Sequence, residues 1–590
     1  MAVAMSAWGL HLSRLGVAVA WWLTVIAAPA IAQVPATGPL PPEDPAQRLL
    51  REQRQRELQR EATQPPAQID NRVAVAPDTR VEDVEETATT FEIHRIEVEG
   101  NTVLSDAQLS AITQSFVGHR LGANRINLLL RRFTEAFVAQ GYITTRAYLG
   151  PQNLASGVLR VTVVPGRVES FQLNGRTLRP GSQWWLDSSA GGWLTDAGTV
   201  WQFPPPGDTL RLADLEQGVD QINRLRRNRA EMQILPGQTP GGSIVALTND
   251  PGDRFRFNAG VDNYGSRVTG ISRTRLGIDA DNALGLQESF GVSYVGTVDT
   301  NAAVASVAVP FGYDTFSYTA SVSEYQNTIG DTALLYGRSV GHTFGWNRVI
   351  ARNQTGRQAL DLTLTWRKSG REINNLQLDP QRLAVLRAAW SGLWRFSASG
   401  QQGYVTAEAG YSRGLPAFHA TQDPRDIHRD EAHAQFNKLD ASTTMQLPLA
   451  LADRVQLAWR AQLVGQWTDV ALFGSEQIYA GGMSTVRGFR EGVIAGDRGA
   501  YLRNEIAWAN APLIAGVRVE PYLFLDGGET QYVATRQWQA VAGTGAGVRL
   551  SAQWAGQIFT SEILVGAPLA QPAALGPRHG VVLATLNWIY

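Results

Sequence analysis

The sequence predicts a transmembrane antiparallel β-barrel of about 16 strands, preceded by two small β-α-α-β-β domains and an N-terminal helix. From about Asp253 onward, apolar and polar residues alternate with period two through segment after segment. Residues 91–166 and 167–250 each combine short strand patterns with amphipathic helical ones. Ahead of them, a stretch beginning at Asp44 is rich in helix formers yet almost lacks an apolar face.

Composition narrows the function classes. The 590 residues carry a net charge of −1, no cysteine, 58 glycines and 17 tryptophans, at a mean hydropathy of −0.16. Without cysteine there is no disulfide framework, thiolate metal site or cysteine nucleophile. No basic footprint points to nucleic acid. The hydropathy does not suit a helical membrane protein but suits a barrel whose lumen-facing half is polar.

Residues 1–32 read as a secretory signal: His11 and Arg14 precede an apolar run from Leu15 to Ala28, and Ala30-Ile31-Ala32 offers a cleavage site between Ala32 and Gln33. The run falls short of the roughly 20 apolar residues a membrane-spanning helix needs. Residues 33–90 comprise a Pro-rich start, a polar helix over 44–62 and an acidic linker. Asp44 suits the N-cap, Pro45 suits the first helical position, and Pro65-Pro66 stops the helix. Only Leu49, Leu50 and Leu58 are strongly apolar, so the helix belongs either in water or in a wet pore, and composition favours water.

In residues 91–166, Phe91 to Glu99 reads as a strand, and Ser105 with Gln108 forms a capping-box pattern. Asn124 suits the cap of a second helix whose Ile126, Leu129, Leu130, Phe133 and Phe137 share a face, and Gly141 ends it. Ile143 to Leu149 and Val158 to Val164 complete the unit as strands. Residues 167–250 repeat the scheme: a strand over Val168 to Leu173, an insertion with Trp184, Trp185, Trp193 and Trp201, and a helix over Leu212 to Leu225. Strands at Ala230 to Leu235 and Ser243 to Thr248 follow.

Residues 251–590 form the barrel. Phe255, Phe257, Ala259 and Val261 alternate with Arg254, Arg256, Asn258 and Gly260, and the same pattern recurs around Leu360 to Arg367 and Val455 to Gln462. These roughly 340 residues, at about 9 to 11 per strand plus turns, give on the order of 16 strands. The last strand carries Val582, Ala584, Leu586, Trp588 and Tyr590 on one face.

Several motifs stand out. Val486-Arg487-Gly488-Phe489 lies in a glycine-rich stretch that is poor strand material and reads as a long loop. Downstream, Phe524-Leu525-Asp526-Gly527-Gly528 ends a strand. Val519, Leu523 and Leu525 share one face, so Tyr522, Phe524 and Asp526 point into the lumen. Gly410-Tyr411-Ser412-Arg413-Gly414 matches a hydrolase elbow but lacks its strand–turn–helix context. Gly543-Thr544-Gly545-Ala546-Gly547 opens a strand rather than a helix, which disfavours nucleotide binding. His419, His428 and His433, among Asp423, Asp426, Asp430 and Glu431, read as a solvated loop rather than a metal site. No catalytic residue, metal or cofactor is assigned.

The V-R-G-F and F-x-D-x-G motifs, the domain order, and the segments Leu210 to Gly218 and Leu235-Pro236-Gly237 resemble TpsB transporters of two-partner secretion, the ShlB/FhaC type. These belong to the POTRA-barrel superfamily related to BamA. Where the family has a leucine-arginine-aspartate-leucine string, Ala213 precedes Asp214 here. The resemblance implies that 91–166 and 167–250 are POTRA domains and that the polar helix plugs the barrel. It also implies that Arg487, on the sixth extracellular loop, pairs with Asp526 inside. Tyr590 then stands for the aromatic C-terminal signal read by the barrel-assembly machinery, where most members have Phe. The implied function is export of an unfolded TpsA exoprotein (haemolysin, adhesin or contact-dependent toxin) across the outer membrane, whose lipids surround the barrel. Whether activation accompanies export stays open. A BamA- or TamA-like assembly factor is the alternative in a related class, and a passive porin the one in a different class.

Overall fold

The computed structural model describes residues 43–64, 79–86, 89–178, 197–329, 333–398, 400–452, 455–514 and 516–590. The signal segment with Ala32 and Gln33, and the tryptophans Trp184, Trp185 and Trp193, lie outside the described residues.

Helix α1 spans Pro45–Thr63, and the Asp44 side chain caps it by accepting from the Ala46 N–H at 2.9 Å. In the first α/β unit, α2 (Asp106–Thr113) opens on the full Ser105/Gln108 capping box. The next helix, α3 (Ala123–Ala139), is not capped by Asn124. Its N-cap is Gly122, and the Glu86 carboxylate accepts from the N–H groups of Gly122 (2.8 Å), Asn124 (3.1 Å) and Arg125 (2.8 Å). An acid from the preceding segment thus satisfies donors that the first turn leaves open. The expected strand Phe91 to Glu99 is split: Phe91–Glu92 pairs with Arg120–Leu121, while Arg95–Glu99 runs parallel to Val158–Val164. Between them Ile93 turns into the core with Phe116, Leu129, Phe133 and Leu159. The strand expected from Ile143 shrinks to Arg146–Tyr148. Ile143 itself is buried in the core of the second unit, which joins the two domains.

In the second unit the strands lie in the order Arg176–Leu178, Arg167–Leu173, Gly242–Thr248, Glu231–Pro236. Helix α4 (Leu212–Asn223) packs Leu215, Val219 and Ile222 on that sheet. Its other face is polar and also buried, because it docks on the rim of the barrel. Gln217 and Gln221 donate to the Gly312 carbonyl at 3.1 and 3.0 Å, Arg352 meets Asp220 at 2.9 Å, and the Tyr313 hydroxyl donates to Asp214 at 2.6 Å.

The barrel closes through sixteen antiparallel strands, the first (Phe255–Asp262) pairing with the last (Val581–Ile589); Leu376–Gln377 adds a short flap. Strands vary from the 8 residues of Phe255–Asp262 to the 21 of Ala333–Asn353. The alternation sorts the wall: Leu523 is 66 % and Leu525 40 % exposed on the outside, whereas Tyr522, Phe524 and Asp526 are buried inside.

Candidate functional site

The lumen is filled by two elements that leave their neighbours in sequence to enter it. Residues 469–497 connect the eleventh strand (Val455–Thr468) to the twelfth (Arg498–Trp508) and fold inward as a hairpin, Ile478–Ala480 against Ile494–Gly496. Its outer part is fastened at Glu476, which meets Arg367 at 3.0 Å and Lys438 at 2.8 Å. Asp497 holds the base by accepting from the Leu472 and Val533 N–H groups, both at 2.8 Å.

At the tip, Arg487 is the largest fully buried side chain. Its Nε donates to Asp526 Oδ2 at 2.8 Å, its Nη2 to Asp526 Oδ1 at 3.0 Å, and its backbone N–H to Oδ2 at 2.9 Å. Nη1 donates to Glu505 Oε2 at 2.6 Å, and the Asn504 carbonyl accepts from Nη2 at 3.2 Å. The guanidinium also stacks over Phe524, 4.4 Å from the ring centroid. Val486 and Phe489 flank the tip in a separate apolar cluster with Ile494, Tyr501 and Val541. Gly528 lies under Val486, and Gly488 takes a φ of 99° that favours glycine.

Glu505 has no counterpart in the motif reading. It receives Arg487, Arg549 (2.6 Å) and Arg460 (3.0 Å), and the last two also bind Glu520 at 2.9 and 2.6 Å. The available signal was periodicity: Ile506 faces out, so Glu505 and Arg503 face in.

Helix α1 lies inside the barrel. Asp44 accepts from Ser323 Oγ at 2.7 Å, Glu52 meets Arg273 at 3.2 Å, Arg54 meets Glu408 at 3.3 Å, and Glu61 pairs with Arg357. Leu49 packs on Val295 and Val304. The polarity that suited water as well as a wet pore here meets charged wall residues, with Leu49 set on a small apolar spot. Towards the second α/β unit, Arg60 and Gln64 donate to the last carbonyls of α4, at Arg224 (3.0 Å) and Asn223 (2.8 Å). Gln55 touches the loop at the Ser484 carbonyl, 3.5 Å away. Beside the helix a cavity of about 1000 Å³ remains, lined by Arg56, Gln462, Arg503 and Glu520 among others.

Other sequence features have structural homes. Ser412 sits within the strand Gln401–Gly414, paired with Arg387 and Lys438. The Gly543 to Gly547 run is part of the strand Trp538–Trp554. His433 contacts the Glu431 carbonyl at 2.7 Å, and among the described residues no group of three or more His, Asp or Glu is placed to hold a metal. Tyr590 exchanges backbone hydrogen bonds with Phe257, at 2.9 and 3.2 Å.

Comparison with known proteins places this architecture. The model of the haemolysin secretion/activation proteins ShlB/FhaC/HecB matches residues 241–550. The chain belongs to the ShlB/FhaC family. A ShlB-type POTRA model matches residues 91–166 and a further POTRA model residues 167–236. Among relatives, the outer membrane transporter CdiB of Dickeya dadantii is 30% identical, over 91% of this chain and 94% of its own. The haemolysin transporter ShlB of Serratia marcescens is 27% identical, over 79% of this chain and 81% of its own. The solved structure of CdiB from Escherichia coli superposes with a TM-score of 0.78 at 27% identity, covering 95% of this chain and all of that one, 100%. As a ShlB/FhaC-family barrel with N-terminal POTRA domains, the chain resides in the outer membrane with those domains in the periplasm.

Proposed function

We propose that the chain is the transporter of a two-partner secretion system and carries a TpsA-type exoprotein across the outer membrane. The observation that carries this reading is the joint match: a ShlB/FhaC barrel, two POTRA domains and a lumen closed by a helix and a loop that are held only by polar contacts and packing. A passive porin would have no use for the two periplasmic domains. An enzymatic reading has no support beyond the Ser412 string, which lies in a strand.

In the sheet of the second unit, Glu231–Pro236 is an edge strand that pairs only with Gly242–Thr248 among the described strands. Such edges bind an extended chain by added backbone hydrogen bonds, and neighbouring pockets give selectivity. The exoprotein, kept unfolded in the periplasm, is recognised there and enters the barrel once α1 leaves it. Lipid surrounds the outer wall, and the barrel-assembly machinery inserts the chain. No nucleic acid takes part.

The test is secretion in a cell that makes this chain together with a candidate TpsA-type exoprotein. Loss of the transporter abolishes surface or medium exoprotein, the full chain restores it, and a chain lacking residues 91–249 inserts without restoring it. Undiminished export by cells lacking the transporter overturns the reading.

A further inference from the structure

The outer wall carries a group of cations that the lumen does not explain. Arg338 on the sixth strand (Ala333–Asn353), Lys368 on the seventh (Gly356–Ile373) and Arg382 on the eighth (Gln381–Ala398) point outward. Their direction follows from their neighbours: Arg367 reaches inward to Glu476, and Leu383 packs inside with Phe436 and Leu472. Lys368 and Arg382 are direct cross-strand partners, and Arg338 faces Gly370, one outward position above Lys368. Directly opposite positions stand about 5 Å apart and diagonal ones about 7 to 8 Å, and like charges directly opposite repel. Among the described residues, no carboxylate lies within ion-pair distance of the three. Two acids on the same face are engaged elsewhere. Glu324, across from Arg338, accepts from the Asn301 amide and the Tyr336 hydroxyl, both at 3.0 Å, and Glu372 accepts from Gln377 at 3.2 Å. Gly370 leaves room beside the cations, since a Cβ there would meet nothing within 4 Å.

The two rims set the height of this group. The second POTRA domain docks on Gly312, Tyr313 and Arg352, so that end is periplasmic. Just above it, outward-facing Arg348 pairs with Asp314 at 2.9 Å. Between Arg348 and Arg338 the outward positions are Trp346, Phe344, His342 and Val340, and His342 is hydrogen-bonded to the Tyr318 hydroxyl at 2.7 Å. The ten residues from 338 to 348, at about 3.3 Å each and a tilt of about 40°, span about 25 Å, the height of a lipid-facing band. The cations therefore lie level with the headgroups of the outer leaflet. Beneath Lys368, Trp366 donates to the Phe418 carbonyl at 3.1 Å, which fastens the exposed Phe418 to the same face. We propose that Arg338, Lys368 and Arg382 bind the phosphate of a phosphorylated glycolipid in the outer leaflet, whose acyl chains lie along the aromatic band below. A phosphate offers what the wall lacks, an anion that two facing cations share, and arginine and lysine both suit it. The apolar band under the cations selects a membrane-anchored phosphate over a free one. This goes beyond the transport reading, and its test needs no exoprotein.

Native mass spectrometry of the full chain in neutral detergent, with diphosphorylated lipid A as the probe, reads bound lipid per protein. The parent takes up lipid A, and combining Lys368→Gln with Arg382→Gln weakens its apparent affinity by about 25-fold, about fivefold per cation removed. Arg348→Gln is the control: it removes a cation at the periplasmic edge that Asp314 already holds, and binding stays at the parent level. Lipid A stripped of both phosphates binds parent and double variant alike, with the weak affinity of the latter. If the double variant does not reach the heat-modifiable folded form, Lys368→Gln and Arg382→Gln taken singly each give the fivefold loss. Equal binding of diphosphorylated lipid A by the parent and the folded variants overturns the proposal, as does undiminished binding of the stripped lipid. Displacement of the lipid by inorganic phosphate at equal concentration would mark a free-anion site and overturn the lipid assignment.

Discussion

Arg487 reaches two acids on adjacent strands, Asp526 at 2.8 Å and Glu505 at 2.6 Å, with its side chain 1 % exposed. A buried cation with two carboxylate partners is a stringent arrangement, because removing the cation strands both anions. Removing one anion leaves the other to neutralise the arginine. The two halves of the site are therefore unequal.

Arg487→Ala is expected to cost about 3 to 5 kcal/mol of loop-docking free energy and to reduce secretion severely while the barrel still inserts. Asp526→Ala does less damage, since Glu505 remains, and the double variant is little worse than Arg487→Ala alone. Lysine does not rescue position 487, as one ammonium cannot serve both carboxylates and the Asn504 carbonyl with the same geometry. Quantitative secretion assays at matched outer-membrane abundance check all four variants. Strictly additive losses would show that the residues act separately.

Deleting residues 44–63 removes the helix but none of the barrel strands. Single-channel conductance in planar bilayers rises severalfold while the heat-modifiable folded form persists. Unchanged conductance would mean that the helix does not obstruct the pore in a bilayer.

The segment before the first POTRA domain belongs to its stability. Burial alone would raise the Glu86 carboxyl, but hydrogen bonds from the N–H groups of Arg125, Gly122 and Asn124 outweigh it and hold the group below the ordinary carboxylate range. Glu86→Gln is expected to destabilise a fragment of residues 79–249 by about 0.5 to 1 kcal/mol, the low end for a cap because solvent screens it. With a depressed folded-state pKa, the contribution is complete above the unfolded value of about 4.3 and is lost as pH falls through the folded one. Urea melts of both proteins at neutral pH and at successively lower pH check this: the gap narrows as the pH falls.

The same fragment carries the proposed recognition surface. It should bind the exoprotein's N-terminal domain weakly, with micromolar affinity, because one added strand buries little surface. Calorimetry or interferometry measures it. No binding at high micromolar concentration, with both partners folded, would remove the POTRA domains from recognition.

Much of this fold is written locally. Period-two alternation separates wall from lumen around Asp526, and Ser105 with Gln108 caps its helix by contacts that span three residues. What the sequence hides is what depends on packing between distant segments. Asn124 has the right chemistry for a cap, but Glu86 arrives from outside the domain pattern and takes the position. Ile143 has strand character, yet the second domain's core claims it. Glu505 lies in no motif with Arg487, and only strand register brings them together. The run from Gly543 to Gly547 is legible as part of a strand, but the loop backbone that lies against Gly543 comes from a distant segment.

In transit the exoprotein is expected to pass through this lumen. A photo-crosslinking residue at Gln462, which lines the cavity beside the helix, and another at Leu523, on the outer wall, test it directly when the exoprotein is stalled in transit. Adducts between exoprotein and transporter are predicted from position 462 and not from 523. Efficient export with no adduct at 462 or at neighbouring inward positions would contradict the claim.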